Sequence, residues 1–423
     1  MIDLLKNIFF SNKLNNKNLS FNNLQNDKNI SSLFAAIKNY SKNSQIMYVG
    51  GCVRKILNNE TVDDIDFAVN LNPTDCIKAL TNQNIKYYET GIDHGTITAV
   101  IERNKFEITS LRKDIFTDGR HAKVKFTDNW LEDASRRDFT LNCIYSDIEG
   151  NLYDPFNGKK DLETGKVKFI GEIDQRIKED YLRILRYVRF FINYSKLDHD
   201  DEVKKIIKQN INGISNISSE RLLSEFKKII NSPAFLNIFK DEFCKEIIKL
   251  IFPQFKNFEF FKNINSYLKK EIRNFDDIFL ISLLIVDDTD NVDYFLYKFN
   301  LSNFDKDRIL FLKKFYNQNI NKNIFSEKNL WRVLYFNGKK KLMDLLFFEM
   351  FKSKNLNKKL ISMVNYFKDK DVPIFPIKAK NLMENYNISE GKLLGDKLKK
   401  IEEKWIKNDF KVSDKEVSQL IES

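Results

Sequence analysis

The order of elements in residues 45–70 constrains this chain more than any other feature. "QIMYVGG" is a short apolar strand ending in glycines, "VRKIL" opens a helix, and "DIDFAVN" alternates as a second strand. Successive side chains of a strand point to opposite faces, so Asp64 and Asp66 project together and Asp63 points the other way. Two carboxylates at i and i+2 suit a hard divalent cation, and Mg²⁺ takes one or two carboxylates plus phosphate oxygens. Alone, D-x-D reads first as an acidic surface turn. Glu107, in "KFEITSLR" on another predicted strand, offers a third carboxylate; the alternative is an exposed charge paired with Lys105 or Arg112.

Gly50 and Gly51 sit at the strand-to-helix junction just ahead of these aspartates. Glycine lets a phosphate approach the backbone, and the helix start behind it offers free N–H groups and a positive dipole end. Arg54, in the first turn, is placed to reach the same anion. A lone Gly-Gly is more often a tight turn, and neither a Walker loop nor a G-x-G-x-x-G fingerprint is present. The informative feature is the order: glycine turn and carboxylates side by side.

At 423 residues the chain is too long for one core, so two to four domains are expected. The composition is globular, with 42% hydrophobic and 30% charged residues and 37 phenylalanines; the +11 charge favours a polyanionic partner. Cys52, Cys76, Cys143 and Cys244 lack C-x-x-C spacing, which argues against a zinc site or a disulfide framework and suits a reducing compartment. The N-terminus lacks the pattern of a secretory signal. The run from Ile278 to Val286 is too short to span a bilayer, so a soluble cytoplasmic protein with no membrane partner is expected.

The fold expected is α+β: a mixed α/β region, then an almost wholly helical remainder. "TITAVIERNKFEITSL" reads as a hairpin and "RRDFTLNCIYS" as a helix start. "EDYLRILRYVRFFINYS" is amphipathic, and "SSERLLSEFKKII" carries an N-cap pattern. "LWRVLYF" and "DLLFFEMF" read as core rather than base-stacking platforms.

Nine ordered motifs carry a resemblance: "GGCVRKIL", "DDIDFAV", "TGIDHGTITAV", "FEITSLR", "DGRHAKVKF", "DNWLEDASRRDFTLNCIY", "LYDPFNGKKDL", "RIKEDYLRILRYVRFF" and "SSERLLSEFKKII". They resemble the class II tRNA nucleotidyltransferases, the bacterial CCA-adding enzymes, and the related bacterial poly(A) polymerases. The resemblance is dense over residues 46–192 and looser in the C-terminal region. The Asn-rich start reads as a flexible extension at 1–30, and the resemblance implies a polymerase-β-like nucleotidyltransferase head at 31–150, a nucleotide-selecting neck at 151–200, a helical body at 201–300 and a tRNA-binding tail at 301–423. Two departures stand out: Lys55 where the family usually has Asp, and Ala379 where it usually has Gly.

By resemblance, Arg137 contacts the incoming nucleotide, Asp138 supports the fold around it, and Gly119, Arg120 and His121 lie in a flexible loop. On a continuous helix, Asp180 and Arg183 are neighbours, with Arg186 and Arg189 stepping further round. The bland reading is an i,i+3 salt bridge and two surface arginines. The functional reading is a protein template. Cytosine and adenine share an exocyclic amine beside a ring-nitrogen acceptor, which a carboxylate and a guanidinium complement; uracil and guanine invert both groups. The resemblance gives these residues the same role and adds Arg186 and Arg189 as nucleotide contacts.

The expected activity is therefore template-independent addition of C, C and A to the tRNA 3′ end. Asp64 and Asp66 hold Mg²⁺ on the triphosphate of CTP or ATP, and a second ion helped by Glu107 activates the RNA 3′-hydroxyl. Gly51, Arg54 and Arg137 offset phosphate charge. His94 is expected to be structural. The helical remainder would bind the acceptor and TΨC arms through shape and phosphates, with no obligate protein partner. The rivals are a poly(A) polymerase, an A- or CC-adding specialist, and an RNA-binding protein that has lost catalysis. With only three histidines, and "DHD" at 198–200 isolated, a fused HD-type phosphohydrolase is disfavoured.

Overall fold

Seven strands form one sheet in the order β3-β4-β5-β2-β1-β8-β9: β1 Ile46–Val49, β2 Asp66–Val69, β3 Lys86–Gly91, β4 Thr96–Ile101, β5 Asn104–Ser110, β8 Tyr145–Ser146 and β9 Leu152–Tyr153. The remaining strands, β6 (Arg112–Thr117) and β7 (Ala122–Phe126), pair as a separate ribbon. This is a computed structural model, and it describes residues 21–62, 64–117, 122–262, 264–317, 325–353 and 357–422. The expected hairpin is β4–β5, in antiparallel register from Thr96↔Thr109 to Ile101↔Asn104. Strands β2 and β5 run parallel.

Side-chain alternation gives the sheet two different faces. Ile46, Tyr48, Phe67, Val69, Ile97 and Ile108 enter one core with Leu33 and Phe34 of helix Lys28–Lys38 and Cys76 and Leu80 of helix Pro73–Asn82. Each such apolar side chain contributes roughly 1.5–3 kcal/mol on burial. The opposite face carries a smaller core of Val49, Ala68 and Tyr145, with Leu111, Ala134, Cys143 and Ile170. That smaller core leaves part of the second face uncovered, and the carboxylates lie there.

Three expectations change. Residues 21–30, read as part of a flexible extension, include helix Phe21–Gln25 and the start of Lys28–Lys38. Asp27 caps the second of these helices, and Leu24 and Ile30 are buried, so local capping and apolar anchors order the segment. "RRDFTLNCIYS" does not open an α-helix. It forms a 3₁₀ turn at Thr140–Asn142 and then β8, because Phe139, Leu141 and Ile144 are fully buried and Tyr145 pairs with Val49 of β1. Within "LWRVLYF", Leu330, Val333 and Leu334 are core, but Phe336 is exposed.

The chain divides into two units, the first ending at Ile251 and the second beginning at Phe252. After the sheet the first unit is helical, including Ile173–Glu179, Leu182–Tyr194, Ser219–Ile230 and Glu242–Ile251. The second unit is helical among its described residues. Its apolar run forms the buried helix Asp277–Ile285, capped by Asp276. Leu382, Leu394, Ile401 and Val417 make a separate core near its end. Among the described residues no helix is long and apolar enough to cross a membrane.

Candidate active site

The parallel register of β2 and β5 sets Asp66 opposite Glu107 and Phe67 opposite Ile108. Phe67 and Ile108 enter the larger core, so Asp66 and Glu107 project together from the other face. Regular strand geometry begins only at Asp66, so Asp64 precedes β2 rather than lying on it. Alternation nevertheless continues backwards: Ile65 joins the larger core while Asp64 is exposed. Asp63 lies outside the described residues. Asp66 and Glu107 thus share a face with exposed Asp64 just ahead of β2. Carboxylate oxygens suit a hard divalent cation better than a soft one, although these three do not gather their oxygens as closely as His199, Asp241 and Cys244 gather their donor atoms.

Gly50 adopts φ +72°, ψ −120°, a conformation that favours glycine, and caps helix Gly51–Leu57. A methyl group there would lie 3.7 Å from Nη1 of Arg137, so the turn and that guanidinium are neighbours. The helix has seven residues, which limits the dipole it offers. Arg54 is buried instead of reaching outward. Its guanidinium donates to Oδ1 of Asn142 and lies 4.9 Å and 5.0 Å from the ring centroids of Phe190 and Tyr194.

Arg137 is organised by Asp133, a residue whose role the sequence reading missed. The Asp133 carboxylate is almost wholly buried and accepts from Arg136 Nε at 2.8 Å, Arg137 Nη2 at 3.0 Å and Tyr145 Oη at 2.7 Å. Burial opposes its charge, but the two guanidiniums overcome that and hold the acid well below the usual carboxylate range. The available signal was spacing: an acid three and four residues before Arg136 and Arg137.

Asp138 links this region to helix Leu182–Tyr194. Its Oδ1 accepts from Asn142 Nδ2 at 2.9 Å and its Oδ2 from Arg186 Nε at 2.7 Å. Burial raises its pKa, yet Arg186 and these hydrogen bonds pull it down to about 2. Arg54, Asn142, Asp138 and Arg186 thus form one hydrogen-bonded chain from the glycine helix to the arginine helix.

Asp180 is not on that helix. It sits in the break after Ile173–Glu179 with extended backbone (φ −155°, ψ 102°), and the next helix begins at Leu182. The i,i+3 salt bridge of the bland reading is accordingly replaced by other pairings. Asp180 Oδ2 accepts from Arg221 Nη2 at 2.7 Å, while Arg183 Nη1 donates to Glu179 Oε2 at 2.8 Å. Arg189 Nε donates to buried Glu225. Arg176, also missed, donates through Nη2 to the carbonyls of Arg136 and Arg137 and ties the two segments together. Every third residue, Asp180, Arg183, Arg186 and Arg189, stays partly exposed, the three arginines stepping round the helix from just after the break.

Two other expectations concern histidines. The imidazole of His94 is exposed, and its carbonyl accepts from Arg112 Nη1. His199 of "DHD" lies with Asp241 and Cys244 in a three-donor group whose ligand atoms fall within 4.8 Å of one another. Its ring bonds Tyr187 Oη at 2.9 Å and Asp241 at 3.1 Å and stacks on Phe191, an arrangement that already occupies both nitrogens. Gly119, Arg120 and His121 fall outside the described residues.

Comparison with known proteins gives the family. A profile described as "Poly A polymerase head domain" matches residues 46–168, and one described as "Probable RNA and SrmB-binding site of polymerase A" matches residues 197–259. "CCA tRNA nucleotidyltransferase 1, mitochondrial" of Mus musculus is 31% identical over 436 residues, covering 99% of this chain and 94% of the mouse protein. The Homo sapiens protein of the same name is 41% identical over 230 residues, 54% of this chain and 52% of its own length. The fold matches the Bacillus stearothermophilus CCA-adding enzyme solved with CTP, with a TM-score of 0.68 at 19% identity, over 92% of this chain and 95% of that one. The chain belongs to the family of CCA-adding tRNA nucleotidyltransferases and poly(A) polymerases.

Proposed function

We propose that this chain is a template-independent tRNA nucleotidyltransferase that adds C, C and A from CTP and ATP to the tRNA 3′ end. The observation that supports it most is the β2–β5 register, which sets Glu107 beside Asp66 next to exposed Asp64. Asp64 and Asp66, with Glu107 alongside, would hold Mg²⁺. When bound, the cation supplies positive charge for the triphosphate and acidity at the RNA 3′-hydroxyl. The 3′-hydroxyl gives its proton to solvent as its oxygen bonds the α-phosphorus in line, the P–O bond to the β-phosphate breaks, and pyrophosphate leaves with the electron pair.

The chain's own residues bind and orient. Gly50 and Gly51 leave room for phosphate close to the backbone, and Arg137 offsets its charge. Arg54, held by Asn142 and two aromatic rings, braces the turn. Asp180 accepts the exocyclic amine of cytosine or adenine, and Arg183 donates to the ring nitrogen, so uracil and guanine meet like groups. Arg186 and Arg189 flank that edge. The basic helical remainder binds the acceptor and TΨC arms of tRNA, residues 301–423 serving as the tail. Four buried, unpaired cysteines suit action in the cytoplasm.

The test supplies transcripts ending at the discriminator base, at C and at CC with single labelled nucleotides. CC addition followed by one A is expected, and Asp66→Asn or chelation of divalent ions should reduce addition about a thousandfold. Long A tails on unrelated RNA would instead support the poly(A) reading, which the description of the head-domain profile keeps in view.

A further inference from the structure

Helix Ser219–Ile230 reaches both ends of the selecting segment. Arg221 and Glu225, four residues apart and so on one helix face, take Asp180 and Arg189 respectively. Glu225 is buried, which makes this helix a fixed support rather than a solvated partner. The Asp180 carboxylate, cut loose from helix geometry by its extended backbone, is held at both oxygens. Leu182 N–H donates to Oδ1 at 3.2 Å and Arg221 Nη2 to Oδ2 at 2.7 Å. A carboxylate oxygen accepts more than one hydrogen bond, so the pinned group can still take an amine.

We propose that Arg221 is a positioning residue for base selection, orienting Asp180 as the acceptor that admits cytosine and adenine. The inference rests on the proposed function above and adds to it the origin of the acceptor's orientation. Asp180 alone, on a break between helices, has freedom to rotate its acceptor away from the base edge. A rotated carboxylate no longer opposes the carbonyl of uracil at that position. Arg221 removes that freedom from outside the segment, through a charge-assisted hydrogen bond, the stronger kind.

The test measures single-turnover addition of CMP and UMP to tRNA transcripts lacking CCA by the full chain, together with CTP affinity. Arg221→Ala should raise the UMP-to-CMP ratio about tenfold, the scale of one lost hydrogen bond to a charged group, with CTP affinity nearly unchanged. Arg221→Lys, which keeps the charge, should recover part of the discrimination, and Arg221→Gln less. In an Asp180→Asn background Arg221→Ala should add nothing, because the two groups act as one. An unchanged ratio in Arg221→Ala, or an equal effect in the Asp180→Asn background, overturns the inference alone. If Arg221→Ala fails to fold, equal ratios for the Lys and Gln variants overturn it. Failure of the wild-type chain to add CMP to tRNA overturns the proposed function, and this inference with it.

Discussion

Each unit contains buried or half-buried arginine paired with carboxylates, and the two clusters differ in how far they are closed. In the second unit Arg308 is almost wholly buried, with Nε on Asp344 at 2.8 Å and Nη2 on Asp276 at 3.0 Å. Asp276 also caps helix Asp277–Ile285 and takes Lys340 at 2.6 Å. That cluster is closed around its guanidinium: the arginine side chain is only 4% accessible. In the first unit, Arg183, Arg186 and Arg189 also have carboxylate partners, but their side chains remain 11–29% accessible. The two clusters therefore differ in residual access rather than in pairing, and the proposed function turns on that difference.

The comparison predicts opposite phenotypes. Arg308→Ala should destabilise the second unit by about 3–5 kcal/mol, the effect of leaving a buried charge unpaired, measured by urea unfolding. Replacing Arg308 and Asp344 together with Met and Leu should recover most of that loss. A large activity defect in the refolded double variant would break the comparison, because it would give the closed cluster a binding role. Arg137→Ala is expected to do the reverse. Addition of CMP should fall about a hundredfold, as for loss of one preorganised charge contact. Arg136 still partners Asp133, so thermal stability should change far less than in Arg308→Ala. A change confined to stability would place Arg137 with the closed cluster.

How far the site could be read from sequence follows the same division. That Asp66 faces the same way as exposed Asp64 was legible because strand alternation is local and survives translation into three dimensions, whereas the β2–β5 register that sets Glu107 beside it is a long-range pairing. The glycine turn was legible because a left-handed φ leaves a residue-type signature at Gly50. Two things were not. Helical spacing suggested an Asp180–Arg183 pair, but no periodicity marks the break in the helix between Glu179 and Leu182. Arg221 and Glu225 lie 41 and 36 residues from the groups they hold, and such pairings depend on packing that one sequence does not expose. The fold class was clear from composition and alternation, whereas the short strand β8 was hidden inside a segment that resembles a helix start.

The two clusters should also separate on acidification, by a smaller amount. Asp138 titrates at about 2 in the folded chain against about 3.9 when unfolded. Between those values the unfolded state binds more protons. Its stabilisation is full above about pH 5 and is lost as pH falls below 2, by about 2–3 kcal/mol. In the second cluster the two acids oppose each other: burial lifts Asp344 despite Arg308, so protonation favours the folded state there, while Asp276, despite burial, is held low by Lys340, the Phe279 N–H and Arg308. Urea unfolding at pH 6 and pH 3 should show the first unit weakening more, and Asp138→Asn should remove that part of the difference. Equal acid sensitivity in wild type and Asp138→Asn would show that other carboxylates govern it.

The smallest expected effect comes from His94, the exposed imidazole closest in sequence to the carboxylate strands. Its chemistry invites a general-base role, but the contact it makes is through its backbone carbonyl, which takes the Arg112 guanidinium. Next to it, Gly95 has φ +78°, and a methyl there would meet Phe126 at 2.6 Å, so the turn is fixed by backbone rather than by the imidazole. His94→Ala keeps that carbonyl and removes only the ring. Stability should shift by less than about 0.5 kcal/mol, as for other exposed positions, and CMP addition should stay within about twofold of wild type. Gly95→Ala, one residue away, should be far worse on both measures. If His94→Ala instead loses activity while folding normally, the imidazole acts in the chemistry, and exposure would mark function even without a place among the paired charges.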